Sequence, residues 1–151
     1  VEHCLNASAI ILSLGYELTD PHEYEELGYG RFPNVITSMQ YERLASRSGP
    51  TEGIVMRPSD GELPKRIAWL QCVGSRDSRH PYCSSICCMY ATKEAVIARE
   101  HSPGLETAIF FMDMRCYGKG FDRYYERAQS EYGCWRSTSS NFFEAALLSL
   151  R

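Results

Sequence analysis

Ile67-Ala68-Trp69-Leu70-Gln71-Cys72-Val73-Gly74 is the stretch that decides the fold. It is apolar with little alternation, as in a strand covered on both faces, and Gly74 is placed to end it. Downstream, a helix reads from about Ile86 to Arg99, with Ser84 or Ser85 placed to cap it. His101 to Gly104 turns the chain, and Thr107-Ala108-Ile109-Phe110-Phe111-Met112 reads as a second buried strand. Phe121 to Glu131 reads as a second helix, stopped near Gly133. Strand, helix, strand, helix in that order is the signature of a parallel α/β unit. A third strand is due after Gly133, where the composition changes to Cys134-Trp135-Arg136-Ser137-Thr138-Ser139-Ser140.

Upstream, the pattern is less regular. Ala9-Ile10-Ile11-Leu12-Ser13-Leu14 predicts a short buried strand closed by Gly15. Asp20-Pro21 breaks the chain, and Leu27 to Pro33 is a loop. A short helix is predicted over Thr37–Ser46, stopped by Gly49-Pro50, and Arg57 to Lys65 is a surface connection. With one strand lacking a near partner and an α/β unit ending after two strands, the sheet is expected to be partial at both ends.

The chain has 151 residues, 44% hydrophobic and 23% charged, which suits one globular domain. A net charge of −3 argues against broad nucleic-acid binding. No apolar run has the length to cross a bilayer and no signal-peptide pattern opens the chain, so the expected compartment is the cytoplasm.

Seven cysteines, an odd number, make a disulfide framework a poor reading. Four of them are tightly spaced: Cys72, ten residues, Cys83, three residues, then Cys87-Cys88. Cys83 and Cys87 share a face as the helix begins, and Cys72 arrives at the carboxyl end of a strand, where α/β proteins place their sites. Four thiolates outweigh the charge of an oxidised iron–sulfide core. Helix N–H groups, with Arg76 and Arg79 in the loop, are placed to offset the excess. An iron–sulfur cluster, a structural zinc and a redox dithiol all remain open on spacing alone, with His80 as an alternative ligand. Cys4, Cys116 and Cys134 have no partner at ligand spacing and read as bystanders.

Lys93 interrupts a stripe of Met89, Val96 and Ile97. It is either a lysine snorkelling to the edge or a partly buried ammonium held by a carboxylate and aimed at a cofactor. No G-x-G-x-x-G follows either strand; Gly74-Ser75-Arg76 occupies that place without the other glycines.

Several strings in order carry a family resemblance. They are Phe32-Pro33-Asn34-Val35-Ile36-Thr37-Ser38, Ser48-Gly49-Pro50-Thr51, Arg57-Pro58-Ser59-Asp60-Gly61, Gln71-Cys72-Val73-Gly74-Ser75-Arg76-Asp77, Tyr82-Cys83-Ser84, Cys87-Cys88-Met89-Tyr90-Ala91 and Gly118-Lys119-Gly120-Phe121. From about Ile10 to Gly133 the chain resembles the A-subunit of heterodisulfide reductase.

The resemblance implies a flavoprotein with a Rossmann-like, thioredoxin-reductase-like core and 4Fe–4S clusters. Such proteins pass electrons from a hydrogenase, formate dehydrogenase or ferredoxin-type donor to other subunits of a heterodisulfide-reducing complex. Some members split electron pairs at the flavin. Cys72, Cys83, Cys87 and Cys88 match the family's cluster motif residue by residue, which raises iron–sulfur over a zinc-stabilised interaction module. Lys93 matches a lysine that approaches the flavin N5, and Glu42 matches the acidic residue that pairs with it.

Ser13-Leu14-Gly15-Tyr16 matches the strand end that packs near FAD, with Ser13 and Leu14 standing where the family usually has Ala-Thr. By this likeness residues 1–31 end an FAD-binding half-domain and 32–64 connect. Residues 65–133 carry the cluster, and 134–151 leave the family pattern. The glycine-rich FAD motif is expected upstream of Val1, so the segment alone is expected to be inactive.

Overall fold

The computed structural model describes residues 3–4, 6–133 and 135–137. Most of the tail 134–151, Cys134 included, lies outside the described residues.

The chain is α/β. Its elements are α1 (Ser38–Ala45), β1 (Arg66–Leu70), α2 (Cys87–His101), β2 (Glu106–Phe111), α3 (Phe121–Tyr132) and β3 (Trp135–Ser137), preceded by 3₁₀ turns at Pro21–Glu23 and Glu25–Leu27. β1, β2 and β3 form one parallel sheet in that order. Arg66 pairs with Glu106 and Leu70 with Phe110, while Ile109 pairs with Trp135. The third strand falls where the strand–helix alternation requires it, which corrects the expectation of a unit ending after two strands.

α2 packs on β2 with α1 and α3 against it. Ala91, Ala95 and Ala98 recur at i, i+4 and i+7 on its buried face. Side chains this short let the helix axis approach the sheet, and Tyr41, Trp69, Leu105, Ile109 and Phe111 fill the space around it. Tyr41 and Trp69 meet edge to face, centroids 5.6 Å apart. α1 begins on a complete capping box, in which Thr37 Oγ1 accepts from the Gln40 amide while Gln40 Oε1 accepts from the Thr37 amide.

Three local expectations are corrected. Residues 9–14 form no strand, and Ile10, Ile11, Leu12 and Leu14 are exposed. A strand needs a neighbour for its N–H and C=O groups. Among the described residues nothing pairs with this run, and β1 pairs only with β2. Next, β1 is covered on one face, since Trp69 is buried while Arg66 and Ala68 are exposed. It also stops at Leu70, although the Gln71 amide still donates to the Phe110 carbonyl at 3.0 Å. Finally, neither Ser84 nor Ser85 caps α2. Its N-cap is Ile86, without a side-chain hydrogen bond; the Ser84 hydroxyl donates to Cys87 Sγ and the Ser85 backbone N–H to Cys83 Sγ.

Gly74 lies at φ 69°, and a Cβ there would collide with the Thr19 side chain. Gly74→Ala is expected to destabilise the fold by about 1–3 kcal/mol, read by denaturant unfolding. Adding Thr19→Gly should recover the steric part of that loss.

Candidate functional site

The site forms where β1 ends and α2 begins. Cys72 lies just past β1 with φ 61°, a left-handed conformation that turns the chain sharply out of the strand. The loop that follows is tied to itself: Ser75 N–H donates to the Cys72 carbonyl at 3.2 Å and Arg76 N–H to the Tyr82 carbonyl at 2.9 Å. Asp77 braces it, accepting from the amides of Arg79 at 2.9 Å and His80 at 2.6 Å, and from the Tyr24 hydroxyl at 2.9 Å. Cys83 then comes back toward the helix start, and Cys87 and Cys88 are buried as the first residues of α2.

N–H groups converge on the sulfurs. Ser85 N–H donates to Cys83 Sγ at 3.3 Å, and Arg115 N–H to Cys88 Sγ at 3.4 Å. Cys87 Sγ accepts from the Ser84 hydroxyl at 3.4 Å, and the amides of Cys72 and Cys88 also point to it. The Cys88 thiol donates to Cys87 first of all, and these bonds together pull the Cys87 thiol down to about 5. Cys88, holding the shared proton, is pushed up. Burial and the charge of Cys87 raise Cys72, with the Arg76 guanidinium opposing them through a hydrogen bond. Cys83 adds to the negative field at Cys72.

Of the two loop arginines, only Arg76 serves the thiols. Arg76 also pairs with Asp113, while Arg79 is drawn off to Glu23 at 3.1 Å and stacks on Tyr24. His80 turns to Asp77, its Nδ1 3.7 Å from the carboxylate. Among the described residues, no three His, Cys, Asp or Glu side chains are gathered tightly enough to hold a metal ion as they stand.

One helical turn beyond the thiols, Lys93 Nζ meets Glu42 Oε1 at 2.5 Å, joining α2 to α1. The pair is not buried, with side chains 46% and 36% exposed, so Lys93 keeps water on one side and a carboxylate on the other. The flavin-side residues are less gathered. Ser13 and Leu14 lie in the exposed segment and Gly15 adopts φ 72°. Tyr16 reaches α1, its hydroxyl donating to Met39 Sδ at 3.3 Å.

No family model matches the chain. The iron–sulfur A-subunit of a CoB–CoM heterodisulfide reductase from Methanopyrus kandleri is 57% identical over 127 residues, 83% of this chain. The chain belongs to the heterodisulfide reductase A-subunit family. The A-subunit of an H2:CoB-CoM heterodisulfide,ferredoxin reductase from Methanothermobacter marburgensis is 48% identical over 131 residues, 85% of the chain. The A-subunit of a ferredoxin/F420H2-dependent CoB-CoM heterodisulfide reductase from Methanosarcina acetivorans is 46% identical over 125 residues, 82% of the chain. The chain spans 19%, 20% and 16% of the lengths of these three relatives.

Around this site the structure adds two residues that sequence reasoning missed. Cys116 is no bystander in space: it shares the electrostatic field of Cys87 and Cys88 and lies within hydrogen-bonding reach of Thr92. The second is Glu94, 1% exposed. It falls in the stripe of Cys87, Ala91 and Ala98 on α2, a signal available in the spacing. Burial pushes its carboxyl up to about 7, against hydrogen bonds from Ser38 and Trp69 that lower it.

A carboxyl raised in the fold favours the folded state while protonated. That contribution is complete below the ordinary value of 4.5 and is lost as pH rises through about 7. Urea unfolding across this window should therefore show stability falling with pH, and Glu94→Gln should flatten the fall.

Proposed function

We propose that the chain is an electron-transfer segment of an oxidoreductase of the heterodisulfide reductase type. It relays electrons between FAD and a 4Fe–4S cluster toward disulfide reduction. The observation that carries this reading is the set of N–H donors aimed at Cys83, Cys87 and Cys88 where β1 hands over to α2. Backbone donors on sulfur serve thiolates that must stay anionic, as cluster ligands do. A single zinc ion would draw all its donors to about 2.3 Å from one point. A four-iron cluster takes one thiolate per iron, and four cysteines brought from a strand end, a loop and a helix start suit that donor set.

Cys72, Cys83, Cys87 and Cys88 are the proposed ligands, with Arg76 and the start of α2 offsetting their charge. When bound, the cluster supplies one-electron steps and the flavin two-electron steps, the combination that bifurcation requires. Ser13, Leu14, Gly15 and Tyr16 face the flavin in this proposal, and Lys93, held by Glu42, offers it a cation. Residues 65–133 then form the Rossmann-like cluster module beside an FAD-binding portion ending near residue 31.

The names of the relatives join hydrogen, formate and ferredoxin to the CoB–CoM heterodisulfide. By that likeness the partners are the other subunits of such a complex and a hydrogenase, formate dehydrogenase or ferredoxin-type donor. No described helix is long and apolar enough to cross a membrane. A cytoplasmic location belongs to the same proposal, because thiolate ligands need a reducing compartment.

Purification without oxygen is the test. A brown protein whose visible absorption bleaches on reduction supports the relay. Colourless protein with bound zinc would replace it with a structural module.

A further inference from the structure

Glu94 is sealed between three elements. The Ser38 hydroxyl on α1 donates to its Oε1 at 2.5 Å, and Trp69 Nε1 on β1 donates to its Oε2 at 2.6 Å. The Tyr41 hydroxyl donates to its backbone carbonyl at 3.4 Å. The fourth neighbour is another acid: Glu42 stands one turn beyond Ser38 on the same face of α1, which brings its carboxyl beside Glu94 while its Oε1 meets Lys93, the residue next to Glu94.

An ionised carboxylate has only acceptors. Two carboxyl groups brought side by side are therefore best accommodated with one proton between them. Glu42 is partly exposed and faces an ammonium, so a negative charge is well placed there. Glu94 is shut off from water, where an uncompensated charge is most costly. The proton belongs on Glu94.

We propose that Glu94 is a positioning carboxylic acid that donates its proton to Glu42 and so fixes the carboxylate that receives Lys93. Ser38 and Trp69 hold Glu94, Glu94 holds Glu42, and Glu42 holds the ammonium. The proposal rests on the reading that Lys93 and Glu42 act at the flavin, and it names what keeps them ready. When Lys93 leaves Glu42, the shared proton stays between the two acids, and the pair carries one negative charge rather than two. The titratable groups facing Glu94 are Tyr41 and Glu42 from α1 and Tyr90 from α2, with Lys93 acting through Glu42.

The test is carboxyl NMR on the full chain labelled with carbon-13 at the glutamate side-chain carboxyls. One resonance, absent in Glu94→Gln, should titrate near neutrality. In Lys93→Met its midpoint should rise by on the order of one pH unit, because the cation that draws negative charge to the pair is gone. Should Glu94→Gln fail to fold, wild type against Lys93→Met carries the comparison, with Glu42→Gln assigning the other resonance.

A Glu94 that only accepts from Ser38 and Trp69 would titrate in the ordinary range, around 4.3, and ignore Lys93→Met. That result overturns the proposal. The titration needs neither cluster nor flavin. A chain that assembles no cluster but shows the neutral midpoint would sink the proposed function while leaving the proton between Glu94 and Glu42.

Discussion

Cys72→Ala or Cys87→Ala is expected to abolish cluster assembly, with iron and sulfide falling to background in either variant. The two residues reach the site from different elements, Cys72 past β1 and Cys87 at the first residue of α2. Losing either removes one ligand and leaves the rest of the cradle standing. The Cys72 amide still points at residue 87 and the Arg115 amide at Cys88, so a folded chain without iron is the predicted product. Cys116→Ala provides the contrast. Cys116 shares the field of Cys87 and Cys88 but is outside the proposed ligand set, and its loss should leave the iron in place. Full iron in the Cys72 and Cys87 variants, or none in the Cys116 variant, would redraw the ligand set.

Lys93→Met, made in the flavin-loaded protein, is expected to lower the flavin potential while cluster content stays unchanged. Methionine keeps the length of the side chain and removes the charge. A cation beside the reduced ring stabilises its negative charge, and a charge-assisted hydrogen bond contributes roughly 1.5–3 kcal/mol. Because the ammonium is 46% exposed, solvent screening places the effect toward the lower end. Glu42→Gln should act in the opposite direction, since it frees Lys93 from its carboxylate. Redox titration is the measurement, and an unchanged potential in Lys93→Met would return Lys93 to a helix-surface role.

The parallel unit was legible because its apolar runs are bounded by strong stops. β2 and α3 fall within a residue of the expected spans, fixed by Gly104, Gly120 and Gly133. The four-cysteine spacing likewise pointed to the position of the site, since strand ends and helix starts are where thiols can meet.

What could not be read depended on partners far away in sequence. Residues 9–14 carry the composition of a strand, but composition cannot supply a neighbour, and the run lies open. The spacing of Glu94 puts it on the buried stripe of α2, but its partners Ser38 and Trp69 lie 56 and 25 residues away in sequence. Cys116 comes in through the loop after β2, at the same end of the sheet as Cys72, by a register that only parallel pairing sets. Lys93 sits half exposed at the edge of α2 with its ammonium on Glu42, a partner that α1 brings from 51 residues away in sequence.

Four thiols at the end of β1 and the start of α2 are proposed to hold an iron–sulfur cluster, and everything else in the relay depends on them. Elemental and acid-labile sulfide analysis of anaerobically purified wild-type chain tests this most directly. The expected result is about four iron and about four sulfide per chain, and no zinc. A full complement of zinc with neither iron nor sulfide would contradict it.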